Sequence, residues 1–290
     1  MRNLSEANLT DAVLDKLSGC GDARFRQIMD SLIRHLHAFV RDVELTEAEW
    51  LEAIKFLTAT GQTCTDKRQE YILLSDTLGA SMLVDAINHR KPAGATETTV
   101  FGPFYIPGSP ELPNGASLAK PGQGEPTFVS GRVLCADGKP IAGAQLAVWQ
   151  VDGEGFYDVQ RPEHQALELR GRFKTDAEGR YYFRTIKPVS YPIPTDGPVG
   201  KMLLHMGRHP YRPAHIHTIA SASGFEPVTT HLFVAGDKYL DSDAVFGVKS
   251  SLIVDFIKHG PGRAPDGTVI QGPFYTCEYD FRLVRAVRTT

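Results

Sequence analysis

The chain has 290 residues, enough for a large core in one big domain or two ordinary ones. Its 31 basic and 34 acidic residues leave a net charge of −3 with no basic tract, which argues against nucleic acid as a partner. No apolar run approaches the roughly 20 residues of a membrane span. The four cysteines (Cys20, Cys64, Cys135 and Cys277) are far apart and form no Cys-x-x-Cys, so they point to neither a disulfide framework nor a thiolate zinc site. The opening Met-Arg-Asn-Leu-Ser-Glu-Ala has an early acid and no apolar h-region, so a soluble, cytoplasmic protein with reduced thiols is expected.

Residues from about 10 to 90 read as helices. Phe25, Ile28, Met29, Leu32, Leu36, Phe39 and Val40 recur at the helical period, and Thr46-Glu47-Ala48-Glu49 is a capping box opening a run with Trp50, Ile54 and Leu57 on one side. A third run, from about Arg68 to Asn88, carries Leu73, Asp76, Thr77, Ala80 and Val84 on a shared face, where Asp76 is the odd member. From Lys91 to Pro126 seven prolines and six glycines rule out long helices, making this a connector. Its apolar island Val100-Phe101-Gly102-Pro103-Phe104-Tyr105 is too hydrophobic to be a solvated linker.

After Thr127 the pattern is β. Phe128 to Val133 leads to a turn at Asp137-Gly138-Lys139-Pro140, and Ala144 to Val151 alternates. Phe173 to Thr175 and Arg180 to Ile186 read as a hairpin around Asp176-Ala177-Glu178-Gly179. Strands near His215, over Val228 to Val234, over Leu252 to Phe256 and over Thr276 to Val287 complete the set. The expected fold is α+β: a helical N-terminal domain over 1–98, a Pro/Gly-rich connector over 99–126 and an antiparallel β-sandwich over 127–290.

Arg212-Pro213-Ala214-His215-Ile216-His217 sits in this β half. On a strand His215 and His217 point the same way and can converge on a metal ion. His35-Leu36-His37 has the same spelling in a helical pattern, where positions two apart diverge by about 200°. A lone His-x-His also suits a sheet rim, so other ligands decide. The local sequence offers neither a third histidine nor a well-placed glutamate. Two tyrosines are better placed. Tyr157 stands at a strand end in the glycine-bearing Asp152-Gly153-Glu154-Gly155-Phe156-Tyr157-Asp158, and Tyr191 lies in a loop stiffened by Pro188, Pro192 and Pro194.

Gly-x-Tyr-Asp, Tyr-Pro-Ile-Pro and Arg-Pro-x-His-x-His, in that order, resemble the intradiol ring-cleaving dioxygenases, in the branch that acts on catechols and hydroxyquinol. The likeness extends over nearly the whole chain. It implies that Tyr157, Tyr191, His215 and His217 hold one non-haem Fe(III) per chain, that Tyr191 leaves the metal to act as a base, and that Arg212 is the cation beside the substrate ring. Two phenolates with two neutral imidazoles suit a trivalent ion better than zinc or Fe(II).

By the same resemblance, the substrates are an aromatic ortho-diol and O2, and Leu73, Asp76, Val100, Phe101, Gly102, Pro103, Phe104, Ile193, Pro194, Arg212 and Val245 line the pocket. An acid at Asp76 and phenylalanine at Phe104 point to hydroxyquinol (benzene-1,2,4-triol), whose third hydroxyl a carboxylate can accept as a hydrogen bond. The resemblance also implies a homodimer through the N-terminal helices, with a lipid-sized apolar tunnel between the copies. The alternatives are a catechol or chlorocatechol enzyme of the same chemistry, and a non-catalytic transthyretin-like binding module suggested by Gly-Lys-Pro-Ile-Ala-Gly-Ala; the latter would need neither tyrosine nor histidine pair.

Overall fold

The computed structural model describes residues 2–66, 68–161 and 167–286. The chain divides into two compact units, 1–59 and 60–290. In the first, α1 (Leu9–Leu14) and α2 (Ala23–Asp42) precede α3 (Glu47–Thr63), which runs into the second unit. Asp22 caps α2 by accepting a hydrogen bond from Phe25 N at 2.9 Å. The capping box at α3 is formed: Glu49 N donates to Thr46 Oγ1 at 3.3 Å and Thr46 N to Glu49 Oε2 at 3.0 Å. The apolar stripe of α2 is not covered, and Phe25, Leu32, Leu36 and Phe39 are each more than half exposed. No helix among the described residues is long and apolar enough to cross a membrane.

The helical run expected over Arg68 to Asn88 is two helices, α4 (Glu70–Thr77) and α5 (Ala80–Asn88). Gly79 separates them with φ of +76°, a left-handed conformation that costs glycine little. Leu73, Asp76 and Thr77 keep their shared buried face on α4.

One five-stranded sheet centres on β1 (Pro126–Cys135), and the other contains β2 (Gln145–Trp149) and β3 (Arg170–Lys174). The first is completed by β4 (Arg180–Ile186) and three late strands, β10 (Ile257–His259), β13 (Phe274–Glu278) and β14 (Phe281–Leu283). The second runs β3-β2-β7-β8-β9, where β7 is His215–Ser221, β8 is Val228–Val234 and β9 is Ile253–Val254. Two short ribbons are separate, β5 (Tyr191–Pro192) with β6 (Tyr211–Arg212), and β11 (Gly262–Arg263) with β12 (Val269–Ile270). A last helix, α6 (Pro198–His205), docks on α4, where Val199 N donates to the buried Glu70 carboxylate at 3.2 Å.

Three strand expectations are corrected. The segments at 173–175 and 180–186 form no hairpin: β3 pairs with β2, β4 pairs with β1, and the Asp176–Gly179 turn is a corner between sheets. A turn sequence closes the chain locally but does not choose its partner strand. The stretch from Thr276 is two strands that run parallel to β1, so that sheet is mixed; Val287 lies outside the described residues. Tyr157 does not end a strand, because β2 stops at Trp149.

Alternation gives the second sheet two different faces. Leu146, Val148, Phe173, Ile216, Ala220, Val228 and Leu232 face the first sheet and interdigitate with Val129, Val133, Tyr181, Phe183 and Phe281. Phe173 stacks on Phe183 across the sandwich with centroids 4.9 Å apart, and truncating either to alanine would cost about 3–5 kcal/mol. The opposite face carries Trp149, His215, His217 and Ile219, covered by Phe104 and Tyr105 of the connector and by Tyr157 and Tyr191. The sandwich core thus supplies a rigid floor, and irregular segments build the site above it.

Candidate metal centre

His215 and His217 project from β7 toward these covering segments, and both are buried. His215 Nδ1 donates to the Pro213 carbonyl at 2.7 Å, which leaves the Nε2 lone pair facing inward. His217 is gripped by stacking: the Trp149 ring, its cross-strand neighbour on β2, lies 4.6 Å away at 13°. The glycine at 102 allows the connector to pass close to the same ring, since a Cβ there would lie 3.2 Å from His217 Cε1.

Tyr157 comes from the loop after β2. Asp152 organises that loop by accepting from Glu154 N at 2.9 Å and Phe156 N at 3.0 Å, with Gly155 at φ +89°. Tyr157 N then donates to Gln160 Oε1 at 2.9 Å, and the next residue, Asp158, is held by buried Arg170. Arg170 Nη1 also donates to the Phe104 carbonyl at 2.9 Å, so one cation ties this loop to the connector. Phe104 stacks on Tyr157 with centroids 4.3 Å apart. Tyr191 is delivered by the β5–β6 ribbon, in which it is the direct cross-strand partner of Arg212.

Four donor atoms meet. Tyr157 Oη lies 2.9 Å from Tyr191 Oη and 2.8 Å from His217 Nε2, and the two histidine Nε2 atoms are 3.1 Å apart. Burial, with the Arg212 charge beside it, pushes His215 down to about 3, and burial with His215 and Arg212 pushes His217 well below its ordinary value. Both imidazoles are therefore neutral donors. Burial raises both phenols, Tyr157 further through the charge on Tyr191. Two lone-pair nitrogens and two phenol oxygens converging in a dry space fit a multivalent cation, which alone would drive the phenols to ionise there.

Two residues beside this centre carried no sequence-based expectation. His231 on β8 is directly opposite His217 and buried, and its ligand atom lies within 4.8 Å of those of His215 and His217. Asp243 is buried and pairs with Arg212 at 3.1 Å. Strand parity could have found His231, which sits two residues from Phe233, the partner of His215. Asp243 lies in a loop, where no period speaks.

A cavity of about 790 Å3 is lined by Leu73, Pro103, Phe104 and Pro194 together with Glu70, Asp158 and Gln160. Asp76, Val100, Phe101, Gly102, Ile193, Arg212 and Val245 are not among its lining residues, and Phe101 is half exposed. Asp76 is buried on α4, and its carboxyl is raised by burial against the opposing effects of a Ser81 hydrogen bond and the Arg212 charge.

Comparison with known proteins covers nearly the whole chain. Residues 100–284 match the dioxygenase family model, and residues 22–96 match the catechol dioxygenase N terminus. A 6-chlorohydroxyquinol 1,2-dioxygenase from Cupriavidus pinatubonensis is 52% identical over 98% of this chain and 99% of its own. A hydroxyquinol 1,2-dioxygenase from a Rhizobium species is 51% identical over 97% of this chain and 96% of its own. The solved hydroxyquinol 1,2-dioxygenase of Pseudomonas putida superposes with a TM-score of 0.90 at 50% identity, covering 97% of this chain and 99% of that one. With both family models matched in order and full-length relatives at half identity, the chain belongs to the intradiol ring-cleaving dioxygenase family.

Proposed function

We propose that this enzyme uses one Fe(III) per chain, held by Tyr157, Tyr191, His215 and His217, to cleave hydroxyquinol with O2 between its ortho hydroxyls, giving 3-hydroxy-cis,cis-muconate and its tautomer maleylacetate. The observation that carries the reading is the chain of contacts from Tyr191 Oη through Tyr157 Oη and His217 Nε2 to His215 Nε2, each step 2.8–3.1 Å and all four side chains buried. Two phenolates offset two of the three charges of Fe(III), and the neutral imidazoles add none, so the site favours the ferric over the ferrous ion. Bound there, the ion supplies a Lewis acid that ionises the phenols and draws electron density from a chelated diol, making the ring reactive toward O2.

The chain's own groups do the rest. Tyr191, on a short ribbon at the edge of the site, accepts a proton from a substrate hydroxyl. Arg212, its cross-strand neighbour, stabilises the negative charge that develops on the ring, an effect worth several kcal/mol in a water-poor site. Trp149, Phe104 and the connector exclude water from the reacting face. Asp76 accepts a hydrogen bond from the third hydroxyl of the triol, and the names of the half-identical relatives support that choice of substrate.

The uncovered stripe of α2 supports a homodimer, with an apolar space between the copies for a lipid chain. The free cysteines suit a cytoplasmic setting. Metal analysis and the visible spectrum of the purified protein test the centre: one iron per chain and a wine-red colour from phenolate-to-iron charge transfer are expected, and zinc or a colourless iron-loaded sample would refute it. Oxygen uptake with hydroxyquinol and catechol tests the substrate, and faster turnover of catechol would assign the chain to that diol instead.

A further inference from the structure

Arg212 is a buried cation whose nitrogens have different tasks. Asp243 takes its Nε at 3.1 Å and its Nη2 at 3.2 Å, a side-on pair through both carboxylate oxygens. Nη2 also lies 3.4 Å from His231 Nδ1. That leaves Nη1, which is 3.4 Å from His215 Nε2. Each oxygen of Asp243 is further fixed by a backbone donor, Oδ1 by Val245 N at 3.3 Å and Oδ2 by Gly247 N at 2.9 Å. The loop bearing these groups is tied down in turn: Arg208 donates to the Ala244 carbonyl at 2.8 Å and to the Thr77 carbonyl of α4 at 2.6 Å, and packs over the Phe246 ring.

We infer that Asp243 is a positioning residue for the reaction: by clamping Nε and Nη2, it leaves Nη1 as the one arm of the Arg212 guanidinium aimed at the metal donors and the substrate beside them. This rests on the ring-cleavage reading given above. A guanidinium on a flexible stem can present any of three nitrogens, and a planar fork seated on a fixed carboxylate presents one. A buried ion pair adds little net stability over an apolar pair of the same size, so orientation is the better account of its presence beside the site.

Steady-state kinetics on hydroxyquinol, with the visible band recorded for each protein, test the inference. Asp243→Asn keeps the shape but cannot accept the whole fork. It is expected to lower kcat about 10- to 100-fold, as misplacement of a catalytic group does, with KM within about 3-fold and the visible band unmoved. In an Arg212→Lys background, where there is no fork to orient, the same change is expected to cost less than about 3-fold. A kcat for Asp243→Asn within about 3-fold of wild type, or a loss that multiplies in full on the lysine background, would overturn the inference. Should Asp243→Asn fail to fold, Gly247→Ala carries the test. Its Cβ would stand 2.9 Å from both Arg212 Nη2 and Thr99 Oγ1 and 3.2 Å from Asp243 Oδ2, disturbing the seating of the fork with both charges present, so kcat should fall with KM within about 3-fold, and an unchanged kcat would overturn the inference. A wild type that consumes no oxygen with any ortho-diol would overturn the functional reading and the inference together; an active wild type matched by Asp243→Asn overturns the inference alone.

Discussion

The chain spells His-x-His in two places, and the two pairs are used differently. On α2, His35 is exposed while His37 turns elsewhere and meets Thr10 Oγ1 at 3.0 Å through Nδ1. On β7, His215 and His217 point the same way, and their Nε2 atoms approach to 3.1 Å in a dry space. Backbone period is the first difference, since two residues advance about 200° on a helix and return to the same face on a strand. Surroundings are the second. The helical pair meets solvent, whereas the strand pair has Trp149, Tyr157 and Tyr191 around it. A chelate therefore needs the right period and a roof, and the letters alone give neither.

The sharpest way to break that comparison is to remove a proposed ligand from the strand pair. His217→Ala should cost more than the roughly 100-fold typical of outer partners of a metal, with a matching loss of bound iron measured by metal analysis. Next in size are the roof residues. Tyr191→Phe removes the proposed donor and base and should lower kcat by about 100-fold or more, while Tyr157→Phe, like Tyr191→Phe, should move the visible band; if neither moves it, the tyrosines only pack.

Asp76→Ala should cost about 1.5–3 kcal/mol on hydroxyquinol, or roughly 10- to 150-fold in kcat/KM by oxygen uptake, with much less lost on catechol. Asp76 has a smaller signature in stability. Burial raises its carboxyl above the ordinary value of 3.8, against the opposing Ser81 hydrogen bond and Arg212 charge and with Asp243 adding to the rise. A group shifted that way contributes its full stability below its unfolded pKa and loses it as pH rises through the folded one. Asp76→Asn should therefore melt above wild type at pH 8, with the gap closing as the pH is lowered toward 3.8. The smallest effects belong to the helical pair: His35→Ala and His37→Ala should stay within about 0.5 kcal/mol of wild-type stability, with iron content unchanged.

How much of this was legible beforehand follows the range of the forces involved. Apolar and β-branched residues mark β7 and β8 from their own sequence, although both faces of each strand are buried, because such side chains suit a pleated surface whatever the neighbours are. The partner of β4 could not be read from the Asp176–Gly179 turn, because pairing with β1 is set by contacts about 50 residues away. The break at Gly79 was legible in principle, since an isolated glycine near a helix end is a cap signal. Tyr157, Tyr191, His215 and His217 carried the family's spelling, whereas His231 and Asp243 carry none; one needs cross-strand register and the other a loop conformation to be seen.

The parallel seating of Trp149 on His217, at 4.6 Å and 13°, gives the protein an optical gauge of its own centre. The chain has two tryptophans, and the other, Trp50, is more than half exposed on α3. Buried and solvated indoles emit at different wavelengths, so the two can be told apart in one spectrum. When a coloured ion enters the ring of donors, the short-wavelength emission of Trp149 should be quenched while the long-wavelength emission of Trp50 persists. Occupancy can then be followed during loading or chelation without a label and without turnover.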